Sequence, residues 1–321
     1  MLARFIKYKV LIAGAGQLGS RYLQGLSKLS ESTDIWVFDL SAESLARAEQ
    51  RWNEMPQLAD HFVNYTNDLS TLPKVIDLAI VATTADVRTM LIKNIMKHTN
   101  IRNWVLEKVL AQNVAQILEL EKMLGRKNAS WVNTPMHMWP LYRNLRQTYQ
   151  RGMPIDAIFE GFRGLACNAI HYIDFVSRWN HANILRVDVS GLKSEWYPAK
   201  RNGFYEVDGE ILINFSDGSK LKMISDIEKL GYKVTLRIGQ DEWNVSEVEG
   251  KARATDGRSV EGTIEFQSQL TAPMATAIFS GESCGLPTLE QSAHQHTMLL
   301  SALLEHWNTH MPEKLDRLPI T

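Results

Sequence analysis

Val10-Leu11-Ile12-Ala13-Gly14-Ala15-Gly16-Gln17-Leu18-Gly19 decides how this chain is read. Four apolar residues in a row suit a strand buried on both faces. Glycines at 14, 16 and 19 spell GxGxxG, and Leu18, Tyr22, Leu23 and Leu26 follow at helical spacing. The first two glycines permit a tight turn and a close backbone approach to a pyrophosphate. The third lets helix and strand pack, and the helix N-terminus offers amide donors to the anion. An acid, Asp39, ends the next apolar run, twenty positions beyond Gly19. Its carboxylate would accept from a ribose 2′-hydroxyl and repel a 2′-phosphate. That favours NAD, with NADP as the alternative, and no Arg immediately follows Asp39. A glycine turn that holds no ligand is the competing reading.

Outward from this stretch, short apolar runs alternate with helical patterns. Ile35-Trp36-Val37-Phe38 is a second strand and 42–52 a helix; 62–65 is a weaker strand. Asp77-Leu78-Ala79-Ile80-Val81-Ala82 precedes a helix through Val87, Leu91, Ile95 and Met96. Trp104-Val105-Leu106, a helix through Val114, Ile117, Leu118 and Leu120, and Ser130-Trp131-Val132 complete the set. Apolar strands alternating with amphipathic helices mean a parallel sheet covered on both faces. After residue 150 the pattern changes to alternating strands. Asp217-Gly218 separates 210–215 from 220–224, a hairpin signal, and Asp256-Gly257 offers another turn. Further strands are expected at 233–238, 242–245 and 263–266, with helices at 169–179 and 288–307. The fold class is an α/β Rossmann domain over 1–134, followed by an α+β substrate-binding and oligomerisation domain over 135–321.

Composition agrees with two domains. A chain of 321 residues is about twice an ordinary domain. Lys plus Arg number 35 against 36 acids, so a general nucleic-acid binder, which needs a basic surface, is disfavoured. Cys167 and Cys284 make no disulfide framework or zinc spacing, and no apolar run is long enough to span a bilayer. The start, Met1 to Gly16, reads as a strand entering the glycines rather than as a signal peptide. A reducing, cytoplasmic setting without nucleic-acid or membrane partners is the simplest reading. His294, His296, His306 and His310 cluster near the C-terminus, but no third ligand joins the 306/310 pair, so no metal is expected. The nine Trp are in excess. Trp36, Trp104 and Trp131 suit the core of the first half, whereas Trp139, Trp179, Trp196 and Trp243 could offer a face for a sugar ring or a subunit contact.

Two further segments carry a resemblance. Glu107-Lys108-Val109 follows the fifth strand, and Gly164-Leu165-Ala166-Cys167-Asn168-Ala169-Ile170-His171-Tyr172-Ile173-Asp174 leads into a helix. With the glycine turn and the antiparallel second half, these make the chain resemble the Gfo/Idh/MocA oxidoreductases over nearly its whole length. The resemblance implies hydride transfer between NAD(P) and a hydroxyl of a sugar, cyclitol or nucleotide sugar. Segments 200–204 and 286–290 are similar to a branch associated with surface-polysaccharide sugars. It implies catalysis by Lys108 and His171, and a cofactor held by Gly14, Gly16, Gln17, Leu18, Gly19, Asp39, Thr83, Glu107 and Lys108. It further implies a substrate lined by His137, Trp139, Asn168 and Asp174, and a homodimer or homotetramer. Departures from the family pattern are Val109 for Pro, Cys167 for an acid, Ala169 for Gly and His137 for Arg. They leave the geometry of the Lys108–Val109 peptide and the proton relay open.

The chemistry suits those residue types. Oxidising a secondary alcohol needs a proton acceptor as hydride leaves the same carbon, and His171 is the candidate. The Lys108 ammonium could hold the reacting oxygen and stabilise alkoxide charge; a surface Lys paired to Glu107 is the structural alternative. Asn168 either caps the helix or turns inward to a substrate hydroxyl; as a cap it would put His171 at the third helical residue, in the positive field of the helix end. Asp174, one turn on, would then fix the His171 tautomer. Two other functions remain open: a dinucleotide-sensing protein without turnover, and an imine or enone reductase in which His171 is dispensable.

Overall fold

The computed structural model describes residues 7–125, 129–228 and 231–321; the basic start at 1–6 lies outside them. The chain divides into two compact units. Unit 1 comprises 1–107, 119–133 and 265–289, and unit 2 comprises 108–118, 134–264 and 290–321. The chain therefore changes unit at Asn133/Thr134 and at four other places, after residues 107, 118, 264 and 289.

Within the first 134 residues the order is β1 (Tyr8–Ala13), α1 (Gln17–Leu26), β2 (Thr33–Phe38), α2 (Ala42–Asn53), β3 (Phe62–Thr66), β4 (Val75–Val81), α3 (Ala85–His98), β5 (Asn100–Leu106), α4 (Val114–Leu124) and β6 (Ala129–Val132). The six strands are all parallel, in the order β3-β2-β1-β4-β5-β6. Val10 to Ala13 of β1 and Leu78 to Val81 of β4 are 0% exposed, as central strands covered on both faces must be. Strand order reverses between β1 and β4, and the crevice beyond their carboxyl ends is where this topology takes a ligand.

Unit 2 carries α5 (Pro140–Gln147), β7 (Ile155–Glu160), α6 (Leu165–Asn180), β8 (Ile184–Pro198), β9 (Tyr205–Phe215), β10 (Lys220–Ser225), β11 (Lys233–Ile238), β12 (Asp241–Ser246), β13 (Lys251–Ala254) and β14 (Ser259–Glu261). Its eight strands run β14-β13-β12-β11-β7-β10-β9-β8, antiparallel except for the β7/β10 pair. The hairpin at Asp217-Gly218 forms because Gly218 takes φ +88° and Asp217 accepts from the Ser219 amide. Gly257, at φ +92°, makes the second turn. One face of the sheet packs on α6, with Phe159 against Tyr172 and Phe175. On the other face Leu212, Lys222, Ile158, Thr235 and Asn244 line up across five strands.

Residues 263–266 are not a strand. The Thr263 carbonyl instead accepts from Leu141 at the start of α5, where Gly262 lies so close that a Cβ would meet the Leu141 amide at 2.4 Å. Phe266, 75% exposed, caps α7 (Gln267–Phe279), which returns to unit 1. There Gly25 of α1 admits Thr271. The long C-terminal helix, α8, spans Leu289–His310. The tryptophan expectation changes as well: Trp179, Trp196 and Trp243 are 5%, 6% and 1% exposed, and so belong to the core of unit 2 rather than to a binding face. No described helix is long and apolar enough to cross a membrane.

Candidate functional site

The glycine turn is shaped as its sequence requires. Gly14 adopts φ +102°, and a Cβ on it would meet Thr83 and the Ala82 backbone at 2.9–3.1 Å. A Cβ on Gly19 would fall 1.8 Å from the Gly14 carbonyl oxygen, so α1 can lie this close to β1 only with glycine there. Around Gly16 nothing lies within 4 Å of that position. Gly16 is the N-cap of α1 and offers no side-chain hydrogen bond, so the amides of the first turn remain for a ligand anion. Asp39 closes the turn from β2, accepting from the Ala15 amide at 2.7 Å and the Ser41 amide at 2.8 Å. Thr83 comes to the turn from the end of β4, and its buried hydroxyl has no hydrogen-bond partner. An open cradle, uncapped amides, a carboxylate at its edge and an unpaired hydroxyl together fit a dinucleotide.

Two basic residues near this turn carry no sequence signal. Arg51, on the last turn of α2, donates to Gln17 Oε1 at 2.9 Å and to Ser20. Arg88, fully buried, donates to the Thr83 carbonyl; burial lowers its pKa to about 10, while Glu107 opposes that shift. Glu107 itself is 3% exposed, accepting from Tyr22 Oη at 2.5 Å and Asn133 Nδ2 at 2.7 Å. These bonds tie α1 and the segment after β6 to the end of β5, and Glu107 pairs with them rather than with Lys108.

Lys108 is the second residue past β5 and belongs to unit 2. Its Nζ donates to the Cys167 carbonyl and to Asn168 Oδ1, both at 3.1 Å. The Lys108–Val109 peptide is cis. Downstream, the Gln112 carbonyl accepts from Leu318 at 2.8 Å, Gln112 Nε2 donates to Ile320, and the Pro319 carbonyl accepts from Tyr205. The C-terminal segment thereby ties the loop after Lys108 to the start of β9.

Helix α6 starts differently from the sequence expectation. Its N-cap is Gly164, in the left-handed region at φ +79° and with no side chain to cap the helix. Asn168 is therefore the fourth helical residue, accepting from Lys108 Nζ at Oδ1 and donating through Nδ2 to the Arg163 carbonyl. His171 is the seventh residue, beyond the turn over which the helix-end field acts. Its pKa still falls well below the ordinary histidine value, first from burial and then from the charges of Lys108 and His296. The imidazole is neutral at pH 7, as a proton acceptor must be.

Asp174 does not reach back to His171 in the way the one-turn spacing suggests. It is 0% exposed; Oδ1 accepts from Gln295 Nε2 at 3.3 Å, and Oδ2 lies 3.3 Å from His137 Nδ1. That second distance suits an ion pair but lacks hydrogen-bond alignment. Unit 2 thus gathers Lys108, Asn168 and His171 around the start of α6, and His137 with Asp174 one turn along. Trp139 packs on the Tyr142 ring, 6.1 Å between centroids. Cys167 is half-buried, and its thiol is pushed up to about 12 by burial and by Glu206, which outweigh Lys108. Glu206 was not foreseen. Its one sequence mark is an acid set in the buried stretch Glu206-Val207-Asp208 of β9. His306 accepts from Trp196 Nε1 at 3.2 Å and lies 4.3 Å from the His310 ring. No group of three or more metal-ligating side chains occurs among the described residues.

No protein-family model and no curated protein sequence matches the chain. Solved structures do match it. UDP-N-acetylglucosamine 3-dehydrogenase GnnA from Acidithiobacillus ferrooxidans is 13% identical, with a TM-score of 0.69 over 93% of this chain and 96% of its own. Scyllo-inositol dehydrogenase from Lactobacillus casei, with NAD(H) and scyllo-inositol bound, is 13% identical, with a TM-score of 0.65 over 94% and 97%. GenD2 from gentamicin A biosynthesis, in complex with NAD, is 14% identical, with a TM-score of 0.67 over 96% of both chains. The chain therefore shares the two-domain fold of these proteins.

Proposed function

We propose that this protein is an NAD-dependent oxidoreductase that moves a hydride between the nicotinamide and a hydroxyl-bearing carbon of a sugar, cyclitol or nucleotide sugar. The observation that carries the reading is the Lys108 ammonium, held by Asn168 and the Cys167 carbonyl beside a neutral His171. The open glycine cradle edged by Asp39 supports the dinucleotide. When bound, the dinucleotide supplies the hydride acceptor. Gly14, Gly16 and Gly19 let the backbone approach its phosphates, and Gln17 and Leu18 carry amides of the first helical turn toward them. Asp39 takes a ribose hydroxyl and disfavours a 2′-phosphate; Thr83 and Glu107 shape the edge. Lys108 donates to the reacting oxygen and stabilises alkoxide charge. His171 Nε2 or Nδ1 takes the hydroxyl proton. His137, Trp139, Asn168 and Asp174 orient the remaining hydroxyls.

Substrates handled by proteins of this fold include UDP-N-acetylglucosamine for GnnA and scyllo-inositol for the Lactobacillus enzyme. They support the same substrate class here, and a role with surface-polysaccharide sugars rests on the resemblance of segments 200–204 and 286–290. The test is a panel of sugars, cyclitols and nucleotide sugars read at the reduced-nicotinamide absorbance band, with Lys108→Met and His171→Ala as controls. Full activity in both variants would remove the assigned roles. One observation favours a sensor without turnover: Cys167 stands where the family pattern has an acid. NAD binding by calorimetry, with no turnover anywhere in the panel, would establish that alternative. On the sheet face opposite α6, exposed Leu212 and Asn244 and half-buried Lys222 and Ile158 support self-association as a dimer or tetramer. Light scattering at micromolar concentration tests it, a monomer counting against it.

A further inference from the structure

We propose that Glu206 is the positioning residue of the Lys108 centre: its carboxylate fixes the first turn of α6 against Lys108 and sets a negative charge opposite the ammonium. This rests on the oxidoreductase reading for its effect on turnover, but not for its electrostatics. Helix α6 has no cap of its own, because Gly164 carries no side chain. Glu206 reaches it from β9 instead. Oε2 accepts from the Ala166 amide at 2.8 Å and Oε1 from the Cys167 amide at 3.3 Å, satisfying two of the amides every helix start leaves open. The room is made by Gly164, where a Cβ would sit 3.2 Å from Glu206 Oε1 and from Cys167 Sγ and 3.0 Å from Asn168 Nδ2.

The turn so held is the one that receives Lys108, through the Cys167 carbonyl and Asn168 Oδ1. Glu206 is 6% exposed, so its charge is little screened by water. Burial raises the Glu206 pKa, while the Cys167 thiol, the Ala166 and Cys167 amides and the Lys108 charge pull it down. The Cys167 thiol donates to the Gly164 carbonyl at 3.6 Å, and burial and the Glu206 charge hold its pKa up. Tyr197 also registers the Glu206 charge. The C-terminal segment secures both partners, since Pro319 accepts from Tyr205, the residue before Glu206, and Leu318 and Ile320 bind Gln112, four residues past Lys108. A carboxylate that served only as a cap would need no cation beyond the turn it caps.

The test compares Glu206→Gln and Glu206→Asp with the parent by three measurements. NAD binding is followed by calorimetry, kcat and KM on the best sugar of the panel, and Cys167 alkylation by iodoacetamide by peptide mass in NAD-free protein. Glu206→Gln keeps an acceptor for the amides but loses the charge. NAD affinity is expected to stay within about twofold, because the cradle lies in the other unit, and kcat to fall about tenfold with a smaller change in KM. Cys167 alkylation near pH 8.5 is expected to quicken about tenfold, since the charge that holds the thiol protonated is gone. Glu206→Asp restores the charge and should return alkylation toward the parent rate. Unchanged kcat and unchanged alkylation in Glu206→Gln would overturn the proposal, as would equal alkylation in the Gln and Asp variants. Should the parent turn over no sugar or cyclitol, the oxidoreductase reading falls, while the alkylation rates alone still decide the role of Glu206.

Discussion

The glycine turn of unit 1 and the Lys108 centre of unit 2 are built in opposite ways. The cradle is a contiguous stretch, Gly14 to Gly19, supported by one acid twenty residues on. Its geometry follows from which residues lack a Cβ. The Lys108 centre draws on the end of a strand, the first turn of a helix sixty residues later, and a strand forty residues beyond that. Its geometry depends on long-range hydrogen bonds to backbone groups. A local motif is fixed by steric exclusion and a dispersed one by partners, and the two should fail differently when mutated.

The sharpest separation is expected from Lys108→Met. Removing the ammonium should lower kcat/KM by about 10²–10³-fold, from loss of the group at the developing alkoxide, with NAD affinity unchanged by calorimetry. A parallel loss of NAD binding would show the two regions are not separable. Gly19→Ala probes the opposite corner. With the Gly14 oxygen 1.8 Å from the new Cβ, helix or turn must move, costing about 2–4 kcal/mol of stability in denaturant titration and abolishing NAD binding. Retained NAD affinity would mean that the cradle is not the site.

Legibility divides along the same line. The parallel sheet, its order of alternating elements, the glycine turn and Asp39 could be read because each signal lies within a few residues. The Asp217-Gly218 hairpin was readable for the same reason. The start of α6 was not. Asn168 is a good capping residue type, but Gly164 in the left-handed conformation begins the helix earlier and a remote Glu206 takes the amides. Asp174 has the right spacing for His171, yet Gln295 and His137 come from other elements and take its oxygens. The extended 263–266 segment alternates like a strand, and its partner turned out to be the start of α5.

Asp39→Ala carries a smaller effect. Loss of a charged acceptor should weaken NAD by about 1.5–3 kcal/mol and narrow the preference over NADP, measured by calorimetry with both dinucleotides. An unchanged ratio would leave Arg51 as the residue that sets the choice. The smallest effect is on stability. His171 has a folded pKa below its unfolded value, as do His61 and His306, each chiefly through burial. Their contribution is complete above about pH 6.5 and is lost as pH falls from there through the folded values. The melting temperature should therefore drop between pH 7 and 5.5, and drop less in His171→Phe. An equal decline in that variant would place the acid sensitivity elsewhere.

The most direct measurement uses deuterium. The protein is incubated with NAD and carbon-deuterated sugars and cyclitols, and the reduced nicotinamide is examined by mass spectrometry. One deuterium carried into the dihydronicotinamide by the parent, and none in Lys108→Met, is the expected result. Bound NAD that gains no label from any of these alcohols would contradict hydride transfer as the function of this chain.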